Sequence, residues 1–135
     1  MILEVGLGKA CEIAQDRLQH SDTKDLTDYF YRTLKKKFGE AIVLNGHPEK
    51  RLHNTLNISF LGHNGHEIMQ FMKDIAVSTG SACHTGMTAI SPVLKAMGAD
   101  EETGRGAVRF SLGRYTTREE LDVVVSRLSD FMDDN

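Results

Sequence analysis

A cysteine followed by a histidine lies in the most polar and least periodic stretch of the sequence. Cys83 and His84 fall within residues 78–86, which read Ser-Thr-Gly-Ser-Ala-Cys-His-Thr-Gly. Small residues of this kind let a loop approach a ligand or move. A partly exposed thiol beside an imidazole is a setting in which the thiolate acts as a nucleophile. A lone cysteine is also commonly a small buried residue, and the local pattern alone leaves both interpretations open.

A second candidate is an arginine on a predicted strand. Arg109 and Ser111 alternate with three apolar residues, which is the period-two pattern of a half-buried strand. The apolar positions are Val108, Phe110 and Leu112. Arg109 is therefore predicted to face away from the core, where a guanidinium can hold a carboxylate through two parallel hydrogen bonds. An arginine on a solvated sheet face gives the same pattern, so both interpretations stay open here.

The other cysteine and the histidines give weaker signals. His63 and His66 flank a turn signal, and no second Cys-x-x-Cys or His-x₃-His spacing accompanies them, so we predict no metal site. Cys11 lies on the apolar face of the first predicted helix, where we expect it to pack as a small core residue. We therefore expect Cys83 to react faster than Cys11 with a thiol-alkylating reagent.

The rest of the chain alternates helical and strand-like patterns. The predicted order is helices over residues 3–18 and 23–38, strands at 42–44 and 56–60, a helix at 68–72, a strand at 75–77, a helix at 91–98, a strand at 108–112 and a helix over 117–132. The last helix has the clearest start, a capping box from Thr117 to Glu120. This pattern predicts one domain over residues 1–135, of the α/β (α+β) class, with a small mixed sheet covered by helices.

Composition and charge narrow the possible partners. The 135 residues are 40% hydrophobic and 26% charged, with a net charge of −3. That charge excludes a strongly basic nucleic-acid or membrane-surface domain. We see no apolar stretch long enough for a membrane helix and no secretory signal at the start. Two cysteines 72 positions apart make no disulfide framework. We expect a cytosolic protein with no nucleic-acid or membrane partner.

Four blocks of sequence together resemble one enzyme family. Residues 77–86 (Val-Ser-Thr-Gly-Ser-Ala-Cys-His-Thr-Gly) resemble the active-cysteine loop of the cysteine desulfurases and selenocysteine lyases, which depend on pyridoxal phosphate and belong to the class V aminotransferase family. Residues 6–10, residues 51–60, and residues 91–98 continuing into 108–117 resemble the same family in the same order. The resemblance covers nearly the whole chain.

The resemblance implies a fold and a set of roles. The fold is the C-terminal small domain of fold-type I pyridoxal-phosphate enzymes. Arg109 would bind the α-carboxylate of cysteine or selenocysteine. Cys83 would attack the substrate sulfur to give a persulfide and alanine, or act as an acid or selenium carrier with selenocysteine. His84 would either assist the thiol or only shape the loop. The run Ala82-Cys83-His84 and the short stretch from Gly65 to Cys83 favour the selenocysteine lyase branch.

The resemblance also implies what the complete enzyme needs beyond this chain. None of the eight lysines lies in the sequence context of the family's cofactor lysine, so we expect the domain that holds pyridoxal phosphate to be absent. The chain alone is then expected to bind no cofactor and to be inactive. The complete enzyme is expected to be a homodimer that passes sulfur or selenium to an acceptor protein. Two alternatives stay open: a non-catalytic module that docks on a full-length enzyme, and a carrier of persulfide sulfur at Cys83.

Overall fold

The computed structural model describes residues 1–19, 23–80 and 90–134, with the side chains of residues 17–19 left out of the description. The elements in chain order are α1 (Ile2–Gln19), α2 (Thr23–Phe38), a one-turn 3₁₀ helix (Gly39–Ala41), β1 (Ile42–Leu44), β2 (Thr55–Phe60), α3 (Gly65–Phe71), α4 (Pro92–Ala96), α5 (Glu101–Arg105), β3 (Ala107–Ser111) and α6 (Arg118–Asp133).

The three strands form one sheet in the order β1-β2-β3, with both neighbouring pairs antiparallel. Strand β2 is the central strand, and its Leu56, Ile58 and Phe60 are fully buried. The side chains of Thr55 and Asn57 point to the opposite face and are half-buried. The predicted α/β (α+β) class with a small sheet covered by helices is confirmed, but the sheet is not mixed, because both pairs of described strands are antiparallel.

Helices α2 and α6 cover the apolar face of the sheet. Phe30 and Leu34 of α2 and Leu128 of α6 are fully buried against it. The ring of Phe30 meets the ring of Phe110 edge to face, with centroids 5.2 Å apart. Burial of such side chains stabilises the fold by roughly 1.5–3 kcal/mol for each residue, which fixes the face that β2 and β3 turn inward.

Helix α5 and its connection to β3 pack tightly against the end of β2. A Cβ built at Gly106 would lie 2.1 Å from the carbonyl oxygen of Phe60, and one at Gly104 would lie 2.8 Å from Cβ of Ile90. The amide of Phe60 donates to the carbonyl of Gly106 at 3.0 Å. Backbone therefore packs directly on backbone at this end of β2, and only glycine allows that approach.

Side-chain caps fix the starts of α5 and α6. The predicted capping box of α6 is confirmed: Glu120 N–H donates to Thr117 Oγ1, and Thr117 N–H donates to the Glu120 carboxylate. Asp100 caps α5 by accepting the Thr103 amide at 2.7 Å. The hydrogen bonds from Thr103 lower the pKa of Asp100. The ionised cap therefore stabilises the fold fully above the ordinary carboxyl pKa, and this contribution is lost as the pH falls through the lowered value.

Two elements differ from the prediction. Residues 75–77 do not form a strand: Ile75 N–H still donates to Met72 in the turn after α3, and only Ser78 pairs with Arg109, as an isolated bridge. Their apolar alternation reflects Ile75 and Val77 packing against the core without a ladder of hydrogen bonds. Helix α5 was not predicted, because its five residues contain a glycine and no apolar period.

Helix α1 is not covered by the described part of the chain. Residues 1–16 are all exposed, including Leu3 at 88% and Leu7 at 67%. The expectation that Cys11 packs as a core residue is wrong, because Cys11 is exposed and none of the described residues covers its helix face. Among the described residues, no helix is both long enough and apolar enough to cross a bilayer.

We predict that Gly106→Ala lowers the free energy of unfolding by about 1–3 kcal/mol, because the added methyl group must displace the backbone of β2. Urea unfolding followed by circular dichroism measures it. Gly8→Ala is the matched control, since a Cβ there meets nothing within 4 Å and α1 does not touch the core. Equal unfolding midpoints for Gly106→Ala and the unmodified chain would contradict this packing.

Candidate functional site

Arg109 lies in the middle of β3, on the sheet face that α2 and α6 leave open. Its side chain is exposed, whereas those of Val108 and Phe110 on either side are buried. This is the placement that the strand pattern predicted. Within residues 1–19, 23–80 and 90–134, the guanidinium makes no hydrogen bond and no ion pair. An exposed guanidinium that extends from a rigid strand, without an acidic partner among the described residues, is suited to bind a carboxylate or another anion.

The backbone of Arg109 is tied to the segment that leads toward Cys83. Arg109 N–H donates to the carbonyl of Ser78 at 2.6 Å, and Ser78 N–H donates to the carbonyl of Arg109 at 3.1 Å. Ser78 Oγ also donates to the carbonyl of Gly80 at 3.1 Å. The predicted polar loop therefore begins directly beside the guanidinium-bearing residue.

The two ends of that loop lie together. Gly80 has φ of +137°, a conformation that only glycine adopts readily. A Cβ built on it would lie 3.6 Å from Cβ of Ser91, which precedes α4. Residues 81–89, and with them the predicted site residues Cys83 and His84, lie outside the described residues. The structure thus brings the two stems of their segment together, and the first of them pairs with Arg109 through Ser78.

Asn57 of β2 lies directly opposite Arg109 of β3 in the strand register. The backbone N–H and C=O of Arg109 both bond to Ser78. Asn57 and Arg109 therefore form a pair without backbone hydrogen bonds between them. Residues in such pairs have the shorter Cα separation, about 4.5 Å, and their side chains are neighbours on one face. The Asn57 amide is held in turn by Asn45, whose Nδ2 donates to Asn57 Oδ1 at 2.9 Å.

The lysines of this chain do not form a site for a cofactor held as a Schiff base. All eight are on helices or connecting segments, none on a strand, and all but Lys35 are exposed. Lys35 is half-buried and donates to the carbonyl of Gly39 and to Glu40. The described side chains therefore fit a binding site for a carboxylate, and they do not fit the attachment site of pyridoxal phosphate.

Cys11 and the two histidines considered for a metal site, His63 and His66, are among the described residues. Because Cys11 is exposed, burial no longer predicts that it reacts more slowly than Cys83. His63 packs edge to face on Phe131 with ring centroids 5.5 Å apart, and His66 is exposed. In the part of the chain that the structure describes, no three histidine, cysteine or acidic side chains form a metal-binding group.

Sequence reasoning missed three residues of this site, namely Ser78, Asn57 and Asn45. Asn57 was visible only as a polar position in the alternation of β2, and its position opposite Arg109 depends on the register of two strands about fifty residues apart. Ser78 belonged to the predicted loop, but its pairing with Arg109 is a tertiary contact that no local pattern encodes. A register assignment from the buried positions of β2 and β3 would have found the first pair.

Comparisons with known proteins point to one family. The model of the family described as aminotransferase class-V matches residues 4–124. The chain is 37% identical over 127 residues to a cysteine desulfurase of Pongo abelii, covering 93% of this chain and 28% of that protein. It is 40% identical over 134 residues to the cysteine desulfurase IscS of Rickettsia massiliae (strain Mtu5), covering 97% of this chain and 32% of that protein.

A solved structure shares the fold of this chain over nearly its whole length. The chain superposes on a NifS-like protein with a TM-score of 0.80 and 27% sequence identity, covering 97% of this chain and 33% of the other. The chain therefore spans about a third of the length of the proteins that it matches.

Proposed function

This chain belongs to the class V aminotransferase family, and from that premise we propose that it forms the part of a cysteine desulfurase that binds the substrate carboxylate and carries the sulfur-accepting thiol. The observation that carries the proposal is the backbone pairing of Arg109 with Ser78. It links the strand residue Arg109, whose guanidinium has no partner among the described residues, to the stem of the segment that contains Cys83. An anion-binding group and a nucleophile are thereby tied to one another through the backbone.

In this proposal Arg109 binds the α-carboxylate of the substrate. Its planar fork of N–H donors matches the two oxygens of a carboxylate, and the strand fixes the backbone position from which the fork extends. A substrate fixed at its carboxylate has a defined position relative to the strand. That orientation lowers the entropic cost of bringing its sulfur to a nucleophile.

Cys83 is the nucleophile of the proposed reaction. Its thiolate attacks the substrate sulfur, so that an S–S bond forms while the bond between Cβ and sulfur breaks. The electron pair of that bond stays on the carbon fragment, which takes up a proton and leaves as alanine. Cys83 is left as a persulfide, from which an acceptor protein takes the sulfur. Three residue steps separate Gly80 from Cys83, so chain length alone keeps their Cα atoms within roughly 11 Å.

His84 is assigned the role of accepting the Cys83 proton. A cysteine thiol has an ordinary pKa of about 8.5, so near neutral pH a neighbouring base increases the reactive thiolate fraction. A histidine next in sequence is suited to this role, because imidazole has an ordinary pKa of about 6.5. The alternative role for His84, shaping the loop, predicts no change in the pH dependence of Cys83 alkylation when His84 is replaced by glutamine.

Sulfur is proposed in preference to selenium. The two curated relatives described above are cysteine desulfurases, and the features that favoured a selenocysteine lyase are confined to residues 65–83. The reaction also needs pyridoxal phosphate, which this family uses, and the lysines of this chain do not form its attachment site. We assign that site to the part of the family's fold that this chain does not span.

The exposed apolar side chains of α1 support a function in contact with that missing part. Leu3 and Leu7 share one helix face, and both are more than half exposed. Exposed apolar surfaces of this extent commonly mark an interaction site. Since the chain spans about a third of its relatives, we assign this face to the remainder of their fold, in the same polypeptide or in a partner.

We predict that Arg109→Lys lowers kcat/KM for L-cysteine by about tenfold or more in the pyridoxal-phosphate enzyme that contains this chain. Lysine keeps the charge but loses the two-pronged geometry, and hydrogen bonds to charged groups contribute about 1.5–3 kcal/mol. Arg105→Lys is the control, because Arg105 is an exposed arginine at the end of α5. An unchanged kcat/KM for Arg109→Lys would return Arg109 to the role of a solvated surface residue.

We also predict that Cys83→Ser abolishes persulfide formation on this chain. The same enzyme is incubated with L-cysteine, and intact-protein mass spectrometry measures the gain of one sulfur atom, which dithiothreitol removes. Cys11→Ser is the matched control, since Cys11 is the other cysteine of the sequence and is itself exposed. Persulfide that persists in Cys83→Ser and disappears in Cys11→Ser would refute the assignment.

A further inference from the structure

Asn57 presents an unused pair of hydrogen-bond donors beside Arg109. Asn45 Nδ2 donates to Asn57 Oδ1 at 2.9 Å and to Ser59 Oγ at 2.8 Å, so the Asn57 amide oxygen is already engaged. Within residues 1–19, 23–80 and 90–134, its Nδ2 group donates to no other side chain or carbonyl. The half-buried Asn57 amide, whose oxygen is held by Asn45, therefore keeps its Nδ2 group for another acceptor on the sheet face that it shares with Arg109.

The strand register directs those donors to the same ligand as Arg109. Asn57 and Arg109 are opposite one another in a pair without hydrogen bonds between their own backbones, the arrangement in which facing side chains are closest. The guanidinium and the amide N–H₂ group are both donors, so they have no reason to bond to each other. Together they complement a group that has two acceptor oxygens and a negative charge.

We propose that Asn57 is a second binding residue for the substrate carboxylate, acting beside Arg109, and that Asn45 is the residue that positions it. This inference rests on the proposed function, because it takes the amino-acid carboxylate as the ligand. In the arrangement that follows, Arg109 supplies the charge and the Asn57 amide adds a neutral and directional donor. The Asn45 contact favours the orientation in which the Asn57 oxygen stays on Asn45 and the N–H₂ group is left for the carboxylate.

The first experiment is a nuclear magnetic resonance titration of this chain with L-alanine, which carries the carboxylate of the proposed product. L-alaninamide is the matched ligand without that carboxylate. We expect L-alanine, but not L-alaninamide, to shift the side-chain N–H₂ signals of Asn57 together with the Nε–H signal of Arg109. The Nε–H signal of Arg105 serves as the control for weak binding of carboxylates to any exposed arginine. No variant is needed, so the result does not depend on whether a substituted chain folds.

The outcomes separate this inference from the proposed function. A shift of Arg109 without a shift of Asn57 overturns the role of Asn57 and leaves the carboxylate site intact. Shifts of neither residue, or shifts of Arg105 as large as those of Arg109, overturn both. Joint shifts of Asn57 and Arg109 that depend on the carboxylate support both.

The second experiment changes the donor into an acceptor with the same shape. Asn57→Asp replaces the N–H₂ group by an anionic oxygen that repels the ligand and pairs with Arg109. We expect it to raise KM for L-cysteine in the assembled enzyme by roughly tenfold or more, the range for a lost hydrogen bond to a charged group. Asn64→Asp introduces the same charge at the start of α3, where asparagine and aspartate cap equally well, and is expected to leave KM unchanged. Equal KM values for Asn57→Asp and Asn64→Asp would overturn the proposal.

Discussion

The site depends on one pair of backbone hydrogen bonds, those between Ser78 and Arg109. They are the point at which a segment without regular structure joins the rigid sheet. Because both backbone groups of Arg109 are used on this side, its pairing with β2 is of the close type, and Asn57 becomes its neighbour. This contact joins the start of the Cys83 segment to the strand position whose neighbour in the β2–β3 register is Asn57.

The hydrophobic core determines which face carries that chemistry. Leu56, Ile58, Val108 and Phe110 turn inward to meet α2 and α6, so the residues between them must turn outward. A shift of one residue in the register would bury Arg109 and expose the core, which makes the register energetically unambiguous. Packing of α2 and α6 on one face of the sheet therefore determines that Asn57 and Arg109 lie on the other face.

The sequence predicted the parts that local patterns encode. The alternation in β2 and β3, the burial stripe of α6 and its capping box are local, and the structure contains them. Arg109 was identified as facing outward by the same alternation. What could not be predicted depends on distant parts of the chain. The Asn57–Arg109 pair requires a register across about fifty residues, and residues 75–77 have strand-like alternation without a strand partner. Cys11 was misplaced because an apolar helix face predicts burial, whereas the described residues leave that face of α1 exposed.

The central claim is that Arg109 binds the amino-acid carboxylate beside the stem of the Cys83 segment. A crystal structure of the assembled pyridoxal-phosphate enzyme with L-alanine bound tests it most directly. We expect both carboxylate oxygens to lie about 2.7–2.9 Å from nitrogen atoms of the Arg109 guanidinium, with the Ser78–Arg109 pairing intact. Density for L-alanine with its carboxylate on another residue, and Arg109 pointing into solvent, would contradict the account.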